Sequence, residues 1–296
     1  MNVLSLFDGI SCGRLALERA GIQVDKYYAS EIEPNAIKIA QKNWADTIQL
    51  GDVTNWRKWN IDWSSIDLLI GGSPCQGFSI AGNKLNFNDP RSKLFFEYVD
   101  ILNHIKSFNP HVKFLLENVK MREDYAKKIS GLLGCDYLYI DSRYFTGMIR
   151  KRYYWTNIKV SNIPNHQTKK IKDLIENVPF DKSLDYLLSK TIYSPTISSD
   201  GIITINPRDK NGKQTWQRGR VYDINGTCPT ICATLFDLSI TEDHKTYRKL
   251  TITECESLQG LPKGYTEGIP YTKRGEVLGN GWTVDVIAHI FSCIPK

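Results

Sequence analysis

Apolar positions along the first half of the chain alternate between two rhythms. Short continuous runs, NVLSLF at 2–7, VDKYYAS at 24–30, TIQL at 47–50, SIDLLIG at 65–71 and VKFLLEN at 112–118, have the length and β-branched or aromatic content of buried strands. Between them lie segments with helical spacing: CGRLALERAG, closed by Gly21, EPNAIKIAQKNW, opened near Pro34, and SKLFFEYVDILNHIKSF. YLYIDSRYF and RYYWTNIK read as a closing pair of strands. Short strands alternating with helical patterns predict an α/β domain with a parallel sheet and helices on both faces.

Beyond about residue 180 the rhythm breaks into short pieces rich in Gly, Pro, Asn and Thr, as in SPTISSDGIITINPRDKNGKQTWQRGRVYDINGTCPT. Helical pattern returns at TITECESLQG and at the terminal VDVIAHIFSCI. The expected organisation is a first domain over residues 1–178, a small loop-rich, mainly β domain over 179–272, and a segment 273–296 that packs back on the first.

Composition narrows the class. With 296 residues, 41% hydrophobic and 24% charged, the chain has the makeup of a globular protein. No run approaches the roughly 18 apolar residues of a membrane span, and MNVLSLFDGI lacks a basic leader region, so a cytoplasmic protein without membrane partners is expected. The seven scattered cysteines do not form a disulfide framework; Cys228 and Cys232 have a metal-pair spacing without a second pair, and two small residues at a turn is the preferred reading. A formal charge of +6 permits a polyanionic partner. The charge is concentrated at 150–155, at 169–174, and over 208–220, where five Lys or Arg face Asp209 alone. Each run taken singly is equally a solvated face.

LFDGISCG sets Phe7, Asp8, Gly9 and Gly13 between a strand and a helix, where backbone can approach a ligand at a helix N-terminus. Glu31 ends the second strand, 18 residues beyond Gly13, where a carboxylate can accept from both hydroxyls of a ribose. Asp52 ends the third, within reach of an adenine amino group, and Ile32 and Val53 offer apolar contact to the ring. Either acid alone is equally a helix cap. Acids at the ends of successive strands favour an adenosine site. A nicotinamide dinucleotide fits these residues too, although the glycines do not spell GxGxxG and the loop after the fourth strand carries a thiol that hydride transfer does not need.

That loop is GGSPCQGFS, at 71–79. With LLENV at 115–119, RKRYYW at 150–155, RKLTITECESLQGLP and LGNGWTVDVI, it resembles the cytosine-5 DNA methyltransferases, in family order and over nearly the whole length. The FDG start, LFFEYVDIL and the tryptophan of GNGWTV are most similar to the animal de novo branch and its bacterial and phage relatives. The resemblance implies a Rossmann-like S-adenosylmethionine-dependent methyltransferase sheet joined to a target-recognition domain. Cys75 is then the nucleophile that adds to carbon 6 of cytosine, making carbon 5 electron-rich. Glu117 faces ring nitrogen 3 and the exocyclic amine, and Arg150 and Arg152 orient the pyrimidine carbonyl, hold phosphate and favour the thiolate. Asn280 and Trp282 join Pro74 and the strand-end residues as cofactor contacts. The product is S-adenosylhomocysteine, and no metal is implied. Taken individually, Cys75 is equally a buried thiol, Glu117 a cap for a helix at MREDYAKKI, and the arginines one face of a strand.

A cytosine in duplex DNA must be extruded before it reacts, at a cost of a few kcal/mol. The segment SIAGNKLNFNDPRSK has the content of a loop that closes over DNA, and Gln76, Ser79, Ile80, Asn83 and Lys84 are its candidate contacts. The chain departs from many relatives at Ala81, where some carry a serine, and at Met148, where many carry a glutamine. QRGRVYDINGTCPTICAT resembles the core of a recognition domain, with Thr230 and Ile231 as its Thr-aliphatic pair and Gln217, Arg218 and Arg220 as candidate base or phosphate contacts. The resemblance implies a monomer acting on double-stranded DNA in a bacterial host, encoded by the bacterium or a phage, with or without a cognate restriction endonuclease. A transfer-RNA methyltransferase of the same fold and a non-catalytic DNA-binding relative remain alternatives.

Overall fold

A computed structural model of the chain describes residues 1–73 and 93–295. Its contacts divide into two compact units. The first comprises Met1–Ile140, Lys151–Ile163 and Val286–Lys296; the second comprises Asp141–Arg150 and Pro164–Asp285.

The first unit is built on a seven-stranded sheet: β1 (Asn2–Leu6), β2 (Lys26–Ser30), β3 (Ile48–Gln49), β4 (Leu68–Gly71), β5 (Lys113–Val119), β6 (Tyr137–Asp141) and β7 (Lys151–Thr156), in the order β3-β2-β1-β4-β5-β7-β6. The β1–β2, β1–β4, β2–β3 and β4–β5 pairs are parallel, and β5–β7 is antiparallel. Helices α1 (Cys12–Arg19), α2 (Pro34–Asn43), α3 (Lys93–Phe108) and α4 (Glu123–Leu133) alternate with the strands.

Successive strand side chains point to opposite faces, and here both faces are dry. Leu4, Leu6, Leu69, Phe114 and Leu116 join one core with Phe95, Tyr98, Ile101, Ile105, Tyr125 and Ile129 of α3 and α4. Their neighbours along the strands, Val3, Leu68, Ile70 and Leu115, are also fully buried. Each such side chain contributes about 1.5–3 kcal/mol by burial, which is why the strands read as unbroken apolar runs. The strand order reverses between β1 and β4, and in open parallel sheets that reversal, at the carboxyl ends of the strands, is where ligands bind.

The second unit is made of shorter pieces. Six strands of two to four residues, Thr196–Ile197, Ile203–Thr204, Val221–Asp223, Ser239–Thr241, Thr246–Lys249 and Lys182–Ser183, form one sheet in that order, and Thr191–Ile192 pairs with Arg208–Asp209 in another. Leu184, Ile205 and Val221 form a small core. Its longest helices are Ile252–Leu258 and Tyr271–Asn280. The first carries a capping box, in which Thr251 and Glu254 satisfy each other's backbone amides. Glu254 also meets Arg248 through two hydrogen bonds of 2.7 and 2.9 Å, both side chains being almost fully buried.

The observed partition differs from divisions at 178/179 and 272/273. The Asp141–Arg150 segment belongs with the second unit because Cys228 N donates to Gly147 O and Ile149 N to Cys228 O, while the Thr230 hydroxyl donates to Ile149 O. SRYF is not strand but a helical turn, Arg143–Thr146, ended by Gly147 at φ +78°. The 271–280 helix belongs to the second unit, and only the chain from Val286 joins the first.

Candidate active site

The loop after β1 is contorted. Phe7, Gly9 and Ser11 all have left-handed backbone, at φ 57°, 58° and 60°, and for Phe7 that conformation is strained. The turn is held by Asp8 N donating to Ser30 O at 3.2 Å and Ser11 N to Asp8 O at 3.1 Å. Tyr27 donates its hydroxyl to Asp8 Oδ1 at 2.8 Å, and the Ser11 hydroxyl donates to Oδ2. Burial pushes the Asp8 carboxyl above its ordinary pKa, and the nearby Glu31 charge adds to this against the hydroxyl hydrogen bonds.

Glu31, at the end of β2, reaches back to the same loop. Its Oε2 accepts from Gly9 N at 2.8 Å, and its Oε1 accepts from Ile32 N at 2.8 Å and Glu33 N at 2.9 Å. The cap of α2 is Glu33, whose side chain accepts from Asn35 N. Asp52 does act as a cap, accepting from Thr54 N at 2.8 Å at the start of the turn Val53–Lys58. Ser30 Oγ donates to Gly51 O at 2.7 Å, so hydrogen bonds link the carboxyl ends of β1, β2 and β3. Beside them Ile32 is 71% exposed and Val53 is buried. Gly13 is buried in the first turn of α1.

On the other side of β1, β4 and β5 bring a second group together. Arg152 on β7 sets its Nε 2.9 Å from Oε1 of Glu117 on β5. The register pairs Glu117 with Tyr154 and Val119 with Arg152, so the two side chains are diagonal neighbours on one face of an antiparallel pair. Both are mostly buried, where a charge-assisted hydrogen bond fixes the carboxylate's orientation. The next residue, Asn118, turns inward and is 1% exposed; its Nδ2 donates to Ser73 O at 3.3 Å and Ser73 Oγ at 3.2 Å. The side chain beside Glu117 therefore grips the chain two residues before Cys75. Asn118 carried no assignment from the sequence; its signal there was an amide following the charged Glu117 at the end of an apolar run.

Cys75, Pro74, Gln76, Ser79, Ile80, Asn83 and Lys84, with Ala81, lie outside the described residues. Arg150 belongs to the second unit. Its guanidinium is buried and donates to Gly279 O at 3.2 Å and Gly281 O at 2.8 Å, on either side of Asn280. Asn280, at the end of its helix, is exposed, and Trp282 is half-buried. Met148 is fully buried opposite Cys228.

The basic segment of the second unit is braced by its own side chains. Gln217 donates to Thr230 O at 3.3 Å, Arg218 to Thr234 O at 3.2 Å, and Arg220 to Thr215 O at 3.0 and 2.6 Å. Residues 232–236 lie against the 271–280 helix where Gly275 and Gly279 leave its surface bare. A Cβ on Gly279 would fall 2.1 Å from Ala233 N, and one on Gly275 would fall 1.9 Å from Phe236 Cε1. Cys228 and Cys232 are free thiols, and burial pushes the Cys228 thiol far above its ordinary range. Among the described residues no three His, Cys, Asp or Glu gather as a metal site, and no helix is long and apolar enough to cross a membrane.

The described residues give a doubly wound sheet with acids at the ends of β2 and β3 and a Glu117–Arg152 pair next to Asn118, which holds Ser73. Residues 1–128 and 142–296 match the sequence profile of the C-5 cytosine-specific DNA methylases, and the chain belongs to that family. It is 29% identical to the type II methyltransferase M1.ScrFI of Lactococcus lactis subsp. cremoris, over 97% of this chain and 76% of that protein. It is 28% identical to the orphan methyltransferase M.SPRI of Bacillus phage SPR, over 78% of this chain and 63% of that protein, and so spans under two thirds of that relative's length. Among solved structures, the Dnmt2 methyltransferase of S. pombe superposes with a TM-score of 0.70 at 20% identity, over 99% of this chain and 97% of that one. A prophage-encoded DNA modification methyltransferase from E. coli gives 0.65 at 21% identity, over 99% and 98%. These two likenesses establish the shared fold.

Proposed function

We propose that the chain is a DNA cytosine-5 methyltransferase that methylates carbon 5 of a cytosine extruded from duplex DNA, through a covalent bond from Cys75 to carbon 6. The observation that carries this reading is the pairing of Glu117 with Arg152 next to Asn118, which holds Ser73 beside the Pro-Cys dipeptide, in a chain of this family.

The residues at the strand ends suit S-adenosylmethionine. The Glu31 carboxylate, the exposed Ile32 side chain, and Asp52 with Val53 match a ribose and an adenine ring, while Phe7, Asp8 and Gly9 shape a turn whose backbone can lie close to a ligand. A carboxyl destabilised by burial, as Asp8 is, gains from a nearby cation such as the cofactor's amine or sulfonium. Gly13, Pro74, Asn280 and Trp282 complete the proposed contacts. When bound, the cofactor supplies an electrophilic methyl group and departs as S-adenosylhomocysteine.

The protein's own part is to make the ring nucleophilic. The Cys75 thiolate adds to carbon 6, and a proton delivered by Glu117 to nitrogen 3 prevents charge from accumulating on the ring. Arg152 keeps the Glu117 carboxyl group in one orientation through that cycle. Arg150 buttresses the backbone around Asn280 and so acts on the reaction through positioning. After methylation the carbon-5 proton is removed, the carbon 6–sulfur bond breaks, and the thiolate is restored.

The substrate is double-stranded DNA. Gln76, Ser79, Ile80, Asn83 and Lys84 are assigned to a loop that closes on it, and Gln217, Arg218, Arg220 and Thr230 to the recognition surface. The type II and orphan names of the relatives, and their bacterial and phage sources, support a modification enzyme working in a bacterial cytoplasm with a cognate restriction endonuclease or alone. We assign it as a monomer.

Purified protein, labelled S-adenosylmethionine and mixed-sequence DNA test this reading. Label should enter DNA and be absent with Cys75→Ser. Incorporation into transfer RNA alone would replace the DNA assignment, and label transfer surviving the substitution would remove the covalent mechanism.

A further inference from the structure

The second unit sets a bare indole on its most cationic segment. Trp216 is 83% exposed, more than any other large apolar side chain among the described residues. It falls within 208–220, where five Lys or Arg face a single acid, Asp209.

That acid is spent on the backbone: Asp209 Oδ1 accepts from Asn211 N and Lys213 N, both at 2.9 Å, and closes a tight turn. Arg208, beside it on the same strand, also closes the turn by donating to Gly212 O at 2.7 Å. Lys210 and Lys213 project from the turn into solvent.

Trp216 follows this turn on a firm footing. The preceding Thr215 is buried, its amide donating to Pro207 O and its hydroxyl to Asn206 O, both at 2.9 Å. Gly219 N donates to Trp216 O at 2.9 Å. Arg220 clamps Thr215 O, while Gln217 and Arg218 tether the next turn to Thr230 O and Thr234 O. Every neighbour of the indole is tied down and the indole itself is left in water, although burying it would gain a few kcal/mol. A rigid mount for an apolar ring amid cations suits a partner with a polyanionic backbone and apolar surfaces within it. Duplex DNA has both, in its phosphates and in the faces and methyl groups of its bases.

We infer that Trp216 packs against the bases of the DNA target and contributes to sequence preference, that Gln217, Arg218 and Arg220 brace it, and that Lys210 and Lys213 supply phosphate contacts. This rests on the DNA methyltransferase reading. It separates two functions that charge alone would merge: the lysines set salt-dependent affinity, and the indole sets discrimination.

The test uses the full-length protein, Trp216→Ala, Trp216→Phe and the double variant Lys210→Ala with Lys213→Ala. Binding is followed by fluorescence anisotropy across a salt series, on a labelled duplex carrying the sequence that bisulfite sequencing shows to be methylated and on a duplex lacking it. Trp216→Ala should lose roughly 5- to 100-fold of the preference for the target duplex, with an unchanged salt slope and unfolding temperature. Trp216→Phe should retain most of it. The double lysine variant should flatten the log–log salt slope by about 2 and keep the preference. A preference within twofold of wild type in Trp216→Ala, or a lowered unfolding temperature that makes the indole structural, overturns the inference while leaving the methyltransferase reading intact. A wild-type protein that methylates transfer RNA and no duplex overturns both.

Discussion

Arg152 Nε and Glu117 Oε1 meet at 2.9 Å across β5 and β7, an antiparallel pair beside the parallel run β3-β2-β1-β4-β5. Antiparallel pairing is what makes this possible, because it returns the chain beside the end of β5 and sets residues two apart in register on one face.

The pair makes a first prediction. Glu117→Gln keeps the shape and removes the acid, and should lower kcat for methyl transfer by about 10²–10⁴-fold. Arg152→Ala, which frees the carboxyl to rotate, should lower kcat by about 10²–10³-fold. In both variants the Kd for S-adenosylmethionine, measured by calorimetry, should stay within a few-fold of wild type, since the strand-end residues are untouched.

Asn118→Ala removes the amide that holds Ser73. The lost buried hydrogen bonds should cost about 1–3 kcal/mol in denaturant unfolding. Turnover should fall more than binding of either substrate, because the change acts on the chain leading to Cys75.

The bare helix face in the second unit predicts strict small-residue requirements. At Gly279 an added Cβ meets backbone at 2.1 and 2.2 Å, which no rotamer change relieves, so Gly279→Ala should destabilise by at least about 2–3 kcal/mol. At Gly275 the obstacle is the Phe236 ring, which can shift, so Gly275→Ala should cost less than Gly279→Ala. Equal unfolding temperatures for the two variants and the wild type would contradict this packing.

Glu176 gives a pH prediction. A hydrogen bond from Lys263, with further ones from Thr253 and Thr251, lowers its pKa from 4.5 to about 2. A carboxyl whose folded value lies below its unfolded one stabilises above the unfolded value and loses that contribution as pH falls through the folded one. The wild type should therefore exceed Glu176→Gln in stability at pH 7, by about 1 kcal/mol after allowing for solvent screening of a partly exposed pair. The difference should shrink below pH 4.5 and vanish near pH 2.

Much of the first unit was legible in the sequence because its strands are dry on both faces and its helices carry their own punctuation. NVLSLF, SIDLLIG and VKFLLEN appear as β1, β4 and β5, and Pro34 opens α2 as its spacing implies. The second unit was legible only as a class. Its strands are two to four residues long, too short for a period to show, and their pairing is set by turns such as the one Asp209 closes. SRYF reads as strand from its aromatic content, yet Asp141 accepts from the amides of Arg143 and Arg150 and curls the chain into a turn. At the site, the motifs singled out Glu117 and Arg152, but their direct pairing was not legible, because it depends on the register of β5 against β7. RKR in an extended strand gives both arginines the same face, whereas β7 begins only at Lys151 and the Arg150 guanidinium donates to Gly279 O and Gly281 O. The cap reading of Asp52 held, and that of Glu31 gave way to Glu33, two residues on, which is nearer the helix.

The central claim is that Cys75 forms a bond to cytosine carbon 6. Duplex DNA synthesised with 5-fluorocytosine tests it directly, because fluorine at carbon 5 cannot leave as a proton and the adduct cannot resolve. Incubated with this DNA and S-adenosylmethionine, the wild-type protein should migrate as a denaturation-resistant protein–DNA complex, and Cys75→Ala should form none. An adduct that persists in Cys75→Ala, or a wild type that methylates ordinary DNA yet never traps the fluorinated duplex, would contradict the account.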